Sequence, residues 1–361
     1  MKPIVVVTGT RPEIIKMAPV IRALQADGLP YVFVHCGQHY DYNMAQQFIE
    51  NLELPTPNFN LKIDGASPGA QTADIMKQFD SLLMKIDPSV VLAEGDTNTV
   101  LATSLAANKS IVKVGHVEAG LRSFDLRMPE EHNRRLTDHI SDFLFAPTYR
   151  AKVNLEKESV WGKIFVTGNT VIDAVNQHLP MAEKKATALS QVPFKDFAVA
   201  TAHRAENVDD LGVLKTFMEV FAESPLPIVY PMHPRTKKRL IESGLYDKVL
   251  GMKNVLVLSP LGYLDFLALM RRCKVLITDS GGIQEEATAP SIRKPVLVMR
   301  LSTERPEAVE AGFAKVVGTS KQQILAALNE FDSWGTLPTV SPFGDGTAAK
   351  QIVNILKKEL A

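Results

Sequence analysis

Short runs of β-branched and aliphatic residues recur through the first half of the chain: Ile4–Val7, Tyr31–Val34, Val90–Leu92, Ile111–Val114, Phe143–Phe145 and Ile164–Val166. They are continuous rather than alternating, the pattern of strands buried on both faces. Between them, apolar residues return every three or four positions. Ile14, Ile15, Met17, Ala18, Ile21 and Leu24 mark a helix over 14–24, and 73–86 marks another. Buried strands alternating with amphipathic helices predict a parallel sheet covered on both faces. The rhythm restarts at Phe197–Ala200 and continues through Ile228–Tyr230, Val255–Leu258, Val275–Ile277 and Val296–Met299, with helical stretches at 211–221 and 263–270. No short-period repeat occurs. What repeats is the architecture, so the expected fold is α/β, with two Rossmann-like doubly wound domains.

The boundary is expected near Thr167–Val171, where a strand-like run ends in Gly168-Asn169-Thr170, residues that suit a hinge. This gives a first domain over 1–168 and a second over 169–346. A turn-rich break, Pro342-Phe343-Gly344-Asp345-Gly346, precedes a helical run over 348–360. That last helix, within 347–361, is expected to cross back to the first domain.

Composition adds exclusions. A chain of 361 residues has room for two domains. Lys plus Arg number 40, and so do Asp plus Glu. Such balance argues against a nucleic-acid partner but leaves room for a local phosphate site. No segment approaches the ~20 apolar residues of a membrane span. The apolar run at Ile4–Val7 is too short for a secretory signal core. A cytoplasmic protein with no membrane partner is expected. Cys36 and Cys273 lack CxxC spacing and end apolar runs, so both are expected as buried thiols.

In open parallel sheets ligands sit beyond the carboxyl ends of the strands. Here the apolar runs lead into polar clusters: Gly9-Thr10-Arg11-Pro12-Glu13, His35-Cys36-Gly37-Gln38-His39, Glu94-Gly95-Asp96-Thr97-Asn98, His116-Val117-Glu118, Thr201-Ala202-His203-Arg204, His233-Pro234-Arg235 and Asp279-Ser280-Gly281-Gly282. Clusters from both halves suggest one cleft between two domains. Arg11 and Lys16, near one helix start, suit phosphate neutralisation, although solvated charges would look the same. Ser280, Gly281 and Gly282 open a short helix over 283–287, whose N–H groups suit a diphosphate; a plain tight turn has the same sequence. Asp96 can cap a helix, and Glu130-Glu131 after Pro129 can start one. If Asp96, Glu118 and Glu130 converge, their repulsion raises at least one pKa, which suits proton abstraction. No histidine pair has metal-ligand spacing, so no metal is expected.

These motifs, in this order, resemble the non-hydrolysing UDP-N-acetylglucosamine 2-epimerases. The resemblance runs from Gly9-Thr10-Arg11-Pro12-Glu13 through Gly95-Asp96-Thr97, His116-Val117-Glu118-Ala119-Gly120-Leu121-Arg122 and Met128-Pro129-Glu130-Glu131-His132-Asn133-Arg134. It continues through Gly168-Asn169-Thr170, His203-Arg204-Ala205-Glu206-Asn207 and Asp279-Ser280-Gly281-Gly282-Ile283-Gln284-Glu285-Glu286 to Thr303-Glu304-Arg305-Pro306-Glu307 and Gly344-Asp345-Gly346. It implies a glycosyltransferase-B-like fold, a UDP-sugar substrate, no cofactor, a homodimer and a role in surface polysaccharide synthesis. Asp96, Glu118, Glu130 and His203 are implied as the catalytic group. Arg11, Lys16, Arg134, His233, Ser280, Gly281, Gly282 and Glu286 are implied to bind substrate. Gln38 and His39 mark a pocket where some members bind a second substrate molecule as activator. Ala205 stands where many bacterial members carry arginine, which removes one guanidinium and moves the chain toward relatives acting on UDP-2,3-diacetamido-2,3-dideoxyglucuronate. The cation such a uronate requires has candidates in Arg122, Arg127 and Arg134. A hydrolysing epimerase, a glycosyltransferase of the same fold and a nucleotide-sugar sensor are the other readings.

Overall fold

In the computed structural model, which describes residues 2–38 and 42–361, the apolar runs become parallel strands and the periodic stretches become the helices between them. The chain divides into two units, Met1–Ala174 with Phe343–Ala361, and Val175–Pro342.

In the first unit the order is β1 (Ile4–Thr8), α1 (Arg11–Ala26), β2 (Tyr31–Gln38), α2 (Tyr42–Asn51), β3 (Phe59–Ile63), α3 (Pro68–Ile86), β4 (Val90–Glu94), α4 (Asn98–Lys109), β5 (Lys113–Val117), α5 (Pro129–Ile140), β6 (Phe143–Ala146), α6 (Tyr149–Lys157), β7 (Lys163–Val166) and the start of α7 (Thr170–Lys185). Among the described residues its sheet has seven parallel strands in the order β3-β2-β1-β4-β5-β6-β7. The order reverses between β1 and β4. The loops leaving those neighbouring strands diverge there, which opens a crevice at their carboxyl ends.

The second unit runs β8 (Ala198–Thr201), α8 (Ala205–Val208), α9 (Leu211–Glu223), β9 (Ile228–Pro231), α10 (Pro234–Glu242), α11 (Tyr246–Leu250), β10 (Val255–Leu258), α12 (Tyr263–Arg272), β11 (Val275–Thr278), α13 (Gly281–Glu286), β12 (Val296–Val298), α14 (Pro306–Glu310), β13 (Ala314–Val316) and α15 (Lys321–Glu330). Its parallel sheet has the order β10-β9-β8-β11-β12-β13 and reverses between β8 and β11. The buried faces of α9 and α15, including Phe217, Phe221, Ile324 and Leu328, pack with Ala198, Ile228 and Tyr230 of the strands.

The last helix, α16 (Ala348–Glu359), belongs to the first unit and packs on α1. Ile352, Val353 and Leu356 form its buried stripe. Its N-terminal N–H groups are satisfied by Asp173, whose carboxylate accepts from Ala348 N at 3.2 Å and Ala349 N at 3.0 Å. Nearby, Asn169 N donates to Phe343 O at 2.7 Å.

Several boundaries differ from the sequence pattern. Ile111 is not in a strand: it is 95% exposed at φ 58°, in the turn that ends α4, and β5 begins at Lys113. β5 then continues through Gly115 and the fully buried His116, which interrupt the apolar run without ending the strand. β2 likewise extends through His35 to Gln38. β3 and β13 went unpredicted; one is mostly exposed at the sheet edge, and the other has three residues. Cys36 and Cys273 are buried free thiols, as expected. No helix among the described residues is long and apolar enough to cross a membrane.

Candidate active site

The carboxyl ends of β1, β4 and β5 supply the charged groups of the first unit. Glu13, in the first turn of α1, folds back on the loop before it: Oε2 accepts from Gly9 N at 2.6 Å and Oε1 from Thr10 Oγ1 at 2.9 Å. Burial raises its pKa to about 7, against the opposing hydrogen bonds from Thr97, Gly9 and Thr10. One turn along, Lys16 Nζ lies 2.9 Å from Glu94 Oε1 and donates a hydrogen bond to Glu118 Oε2. Glu94 is the final residue of β4, and its carboxyl is 1% exposed. Glu118 follows β5 with φ 68°. A left-handed backbone at a non-glycine residue costs about 1 kcal/mol or more and is typical of functional sites. Asn169, expected only to relax a boundary, donates Nδ2 to Glu118 Oε2 at 3.0 Å.

Asp96 follows Gly95, whose φ of 87° favours glycine. The turn is held from behind by His116. Its Nε2 lies 2.7 Å from Gly95 O, and its Nδ1 lies 2.7 Å from Asp138 Oδ1. Asp96 Oδ2 accepts from Arg134 Nη2 at 2.7 Å, and its carbonyl accepts from Asn133 Nδ2 at 2.9 Å. Burial raises the Asp96 pKa, Arg134 opposes, and the charges of Glu118 and then Glu130 add to the rise. Glu118 and Glu130 therefore both come within electrostatic reach of Asp96, but burial outweighs their repulsion. Glu130 stands in the first turn of α5, and its carbonyl accepts from Arg134 Nε at 3.2 Å.

Arg11 opens α1, exposed, with its guanidinium 5.9 Å over the Phe48 ring. It lines a cavity of about 400 Å³ together with Thr10, His35, Gly37, Gln71 and Thr97. Gln38 is the last residue of β2, and His39 lies outside the described residues. The cations considered for a uronate are engaged elsewhere. Arg122 is buried, with Nη2 2.8 Å from Asp138 Oδ2 and 2.6 Å from Glu158 Oε2. Arg127 is exposed and pairs with Asp125 at 2.7 Å. Arg134 is on Asp96.

In the second unit the switch between β8 and β11 brings His203 to Asp279. Asp279 Oδ2 accepts from the backbone N–H groups of His203 and Arg204, both at 2.9 Å, and from Asn207 Nδ2 at 3.2 Å. Its Oδ1 lies 3.1 Å from His203 Nδ1. Burial opposes charge on Asp279, but the His203 hydrogen bond and charge, with the backbone donors, prevail and hold its pKa below the usual value. A proton on Nδ1 facing this carboxylate fixes the ring and leaves Nε2 for a ligand. His233 caps α10, accepting from Arg235 N at 3.2 Å, and its ring lies 5.5 Å from that of His203. Burial and then the His203 charge lower its pKa, in keeping with an accepting, neutral Nδ1. Ser280 precedes the six-residue α13, at whose start a Cβ on Gly282 would meet open space. Glu286 ends that helix, half-buried. Ala205 begins α8 beside Arg204, whose Nη2 lies 3.8 Å from Glu304 Oε2. Among the described residues no group of three or more His, Cys, Asp or Glu side chains could hold a metal ion.

The sequence pattern missed Glu94, Glu13 as a buried acid, and the His116–Asp138 pair. Glu94 carried one signal: it closes the otherwise apolar run Val90-Val91-Leu92-Ala93.

Known proteins resemble this chain. A family model described as UDP-N-acetylglucosamine 2-epimerase matches residues 22–357. The UDP-N-acetylglucosamine 2-epimerase of Methanocaldococcus jannaschii is 45% identical over 97% of this chain and 98% of its own. A crystal structure of the M. jannaschii UDP-GlcNAc 2-epimerase in complex with UDP-GlcNAc and UDP aligns with a TM-score of 0.88 at 44% identity, over 99% of each chain. The UDP-2,3-diacetamido-2,3-dideoxy-D-glucuronate 2-epimerase of Pseudomonas aeruginosa is 37% identical over 98% of this chain and 99% of its own. With its family matched over nearly all of its length and its two parallel sheets shared with solved members, the chain belongs to the UDP-N-acetylglucosamine 2-epimerase family.

Proposed function

We propose that the chain interconverts UDP-N-acetylglucosamine and UDP-N-acetylmannosamine without releasing free sugar. The observation that carries this reading is the set of carboxylates Asp96 and Glu118 at strand ends and Glu130 in the first turn of α5, with the proton affinity of Asp96 raised. A glycosyltransferase or a sensor has no evident need for it. The proton on sugar carbon 2 is weakly acidic, because no ketone is conjugated to it, so simple deprotonation is too costly. Cleavage of the bond from carbon 1 to the diphosphate makes carbon 1 cation-like and loosens that proton. A carboxylate takes the proton, UDP departs with the bonding pair, and 2-acetamidoglucal remains. UDP then adds back to carbon 1 as a carboxylic acid protonates carbon 2 from the opposite face.

Asp96 and either Glu118 or Glu130 are assigned to these proton transfers. His203, oriented by Asp279, stabilises the departing diphosphate. The N–H groups that follow Ser280, at Gly281 and Gly282, bind phosphate, and Glu286 accepts from the ribose hydroxyls. Arg11 adds positive field at the first unit, and His233 flanks His203. The engagement of Arg122, Arg127 and Arg134 by carboxylates supports the N-acetylglucosamine substrate over a uronate. The enzyme is assigned to the cytoplasm as a homodimer, supported by the exposed Met84, Ile111 and Leu136 of the first unit.

Incubation with UDP-N-acetylglucosamine in deuterated water, followed by proton NMR, tests the reading. UDP-N-acetylmannosamine carrying deuterium at carbon 2 is the expected product. Unchanged, undeuterated substrate overturns it, and turnover of the diacetamido uronate instead would reassign the sugar. Free N-acetylmannosamine would mean hydrolysis.

A further inference from the structure

Glu94 has no part in the reaction as assigned, yet it sits against the base that does. Its carboxyl is almost wholly buried, and both its ion pair and that of Glu118 share Lys16. The two contacts differ. Lys16 donates to Glu118 with good hydrogen-bond geometry, whereas its 2.9 Å contact with Glu94 Oε1 is poorly aligned. A buried, ionised carboxylate that shares one poorly aligned cation with a second carboxylate is costly, and a neutral carboxyl in the same place is far less so. The charged groups facing Glu94 are Lys16 and Glu13 from α1 and Glu118 from beyond β5, two acids against one cation.

We propose that Glu94 is a positioning residue: uncharged, it leaves Lys16 committed to Glu118, and on ionising it draws Lys16 away and unseats the base. The proposal rests on Glu118 serving in proton transfer. Burial, and then the charges of Glu118 and Glu13 against the opposing Lys16, raise the Glu94 pKa well above the usual carboxylate range. The neutral form therefore persists to higher pH than for an ordinary glutamate. Activity is then lost as pH rises through the Glu94 titration, and the fall appears in kcat rather than KM, because Glu94 acts on the base and not on the UDP site.

Glu94→Gln tests this, since glutamine mimics the uncharged acid in size and shape. The expected result is a kcat profile whose alkaline midpoint moves up by at least one pH unit while KM is unchanged. A profile superimposable on that of the unsubstituted enzyme overturns the proposal. So does loss of more than 100-fold in kcat across all pH in a folded variant, which would mean that ionised Glu94 is required. Infrared spectroscopy supplies a readout independent of turnover. In a Glu13→Gln background, which removes the other buried glutamate that titrates near neutrality, the protonated-carboxyl band at neutral pH should shrink when Glu94→Gln is added, and an unchanged band overturns the proposal. Glu118→Gln separates the two readings: if that variant keeps its kcat, the assignment of Glu118 fails, while the infrared band still reports on Glu94.

Discussion

Among single residues, those that follow a strand directly were legible. Asp96, Glu118 and His203 stand one or two positions beyond strands, where a parallel sheet presents its ligand-binding groups. Glu13 and Glu94 were not legible, because what makes them unusual is burial among groups distant in sequence. Glu13 offers a stability test. Its folded-state pKa of about 7 stands above the ordinary glutamate value of 4.5, so the native state binds the proton more tightly than the unfolded chain. The stability that Glu13 contributes is then fully present below pH 4.5 and is lost as pH rises to about 7. The fall should amount to roughly 3 kcal/mol, at about 1.4 kcal/mol per pKa unit. Glu13→Gln should remove this slope: its amide oxygen can accept from Gly9 N and its amide nitrogen can donate to a reoriented Thr10 hydroxyl. Denaturant unfolding of both proteins at pH 5 and pH 8 measures the difference. An equal slope in the two would refute the assignment.

At the level of elements, long buried strands and amphipathic helices could be read from the pattern, while β3 and β13 could not. β3 is mostly exposed at a sheet edge, so its alternating residues never form an apolar run. Polar residues inside strands misled in the other direction, as at His116, which is buried because Asp138 and Gly95 O satisfy both ring nitrogens. The turn after β5 depends on a glycine. Gly120 has φ 84°, and a Cβ there would stand 2.3 Å from Ala151 O and 2.8 Å from Leu155 Cγ in α6. Gly120→Ala is expected to cost about 3 kcal/mol or more, from the strained backbone and the clash with main chain together. A drop in the midpoint of thermal or denaturant unfolding would show it. An unchanged midpoint would mean that the loop shifts freely.

For the molecule as a whole, the restart of the strand rhythm after residue 197 was enough to announce two α/β units. The reversal points of the sheets were not readable, because strand order depends on pairing between distant segments. The structure supplies them, and the polar clusters after β1, β4, β8 and β11 gather at those reversals.

The bond from Asn169 N to Phe343 O, with the Asp173 clasp on α16, has a further consequence for chain topology. The polypeptide leaves the first unit and re-enters it at neighbouring points, so the second unit is an insertion into a fold that is closed without it. Bridging two such points adds little loop-closure entropy. Replacing residues 175–342 with a short glycine-rich linker should therefore leave a first unit that folds cooperatively, with α16 docked on α1, as circular dichroism and amide exchange would report. A molten or insoluble product would show that the first unit borrows its stability from the insert.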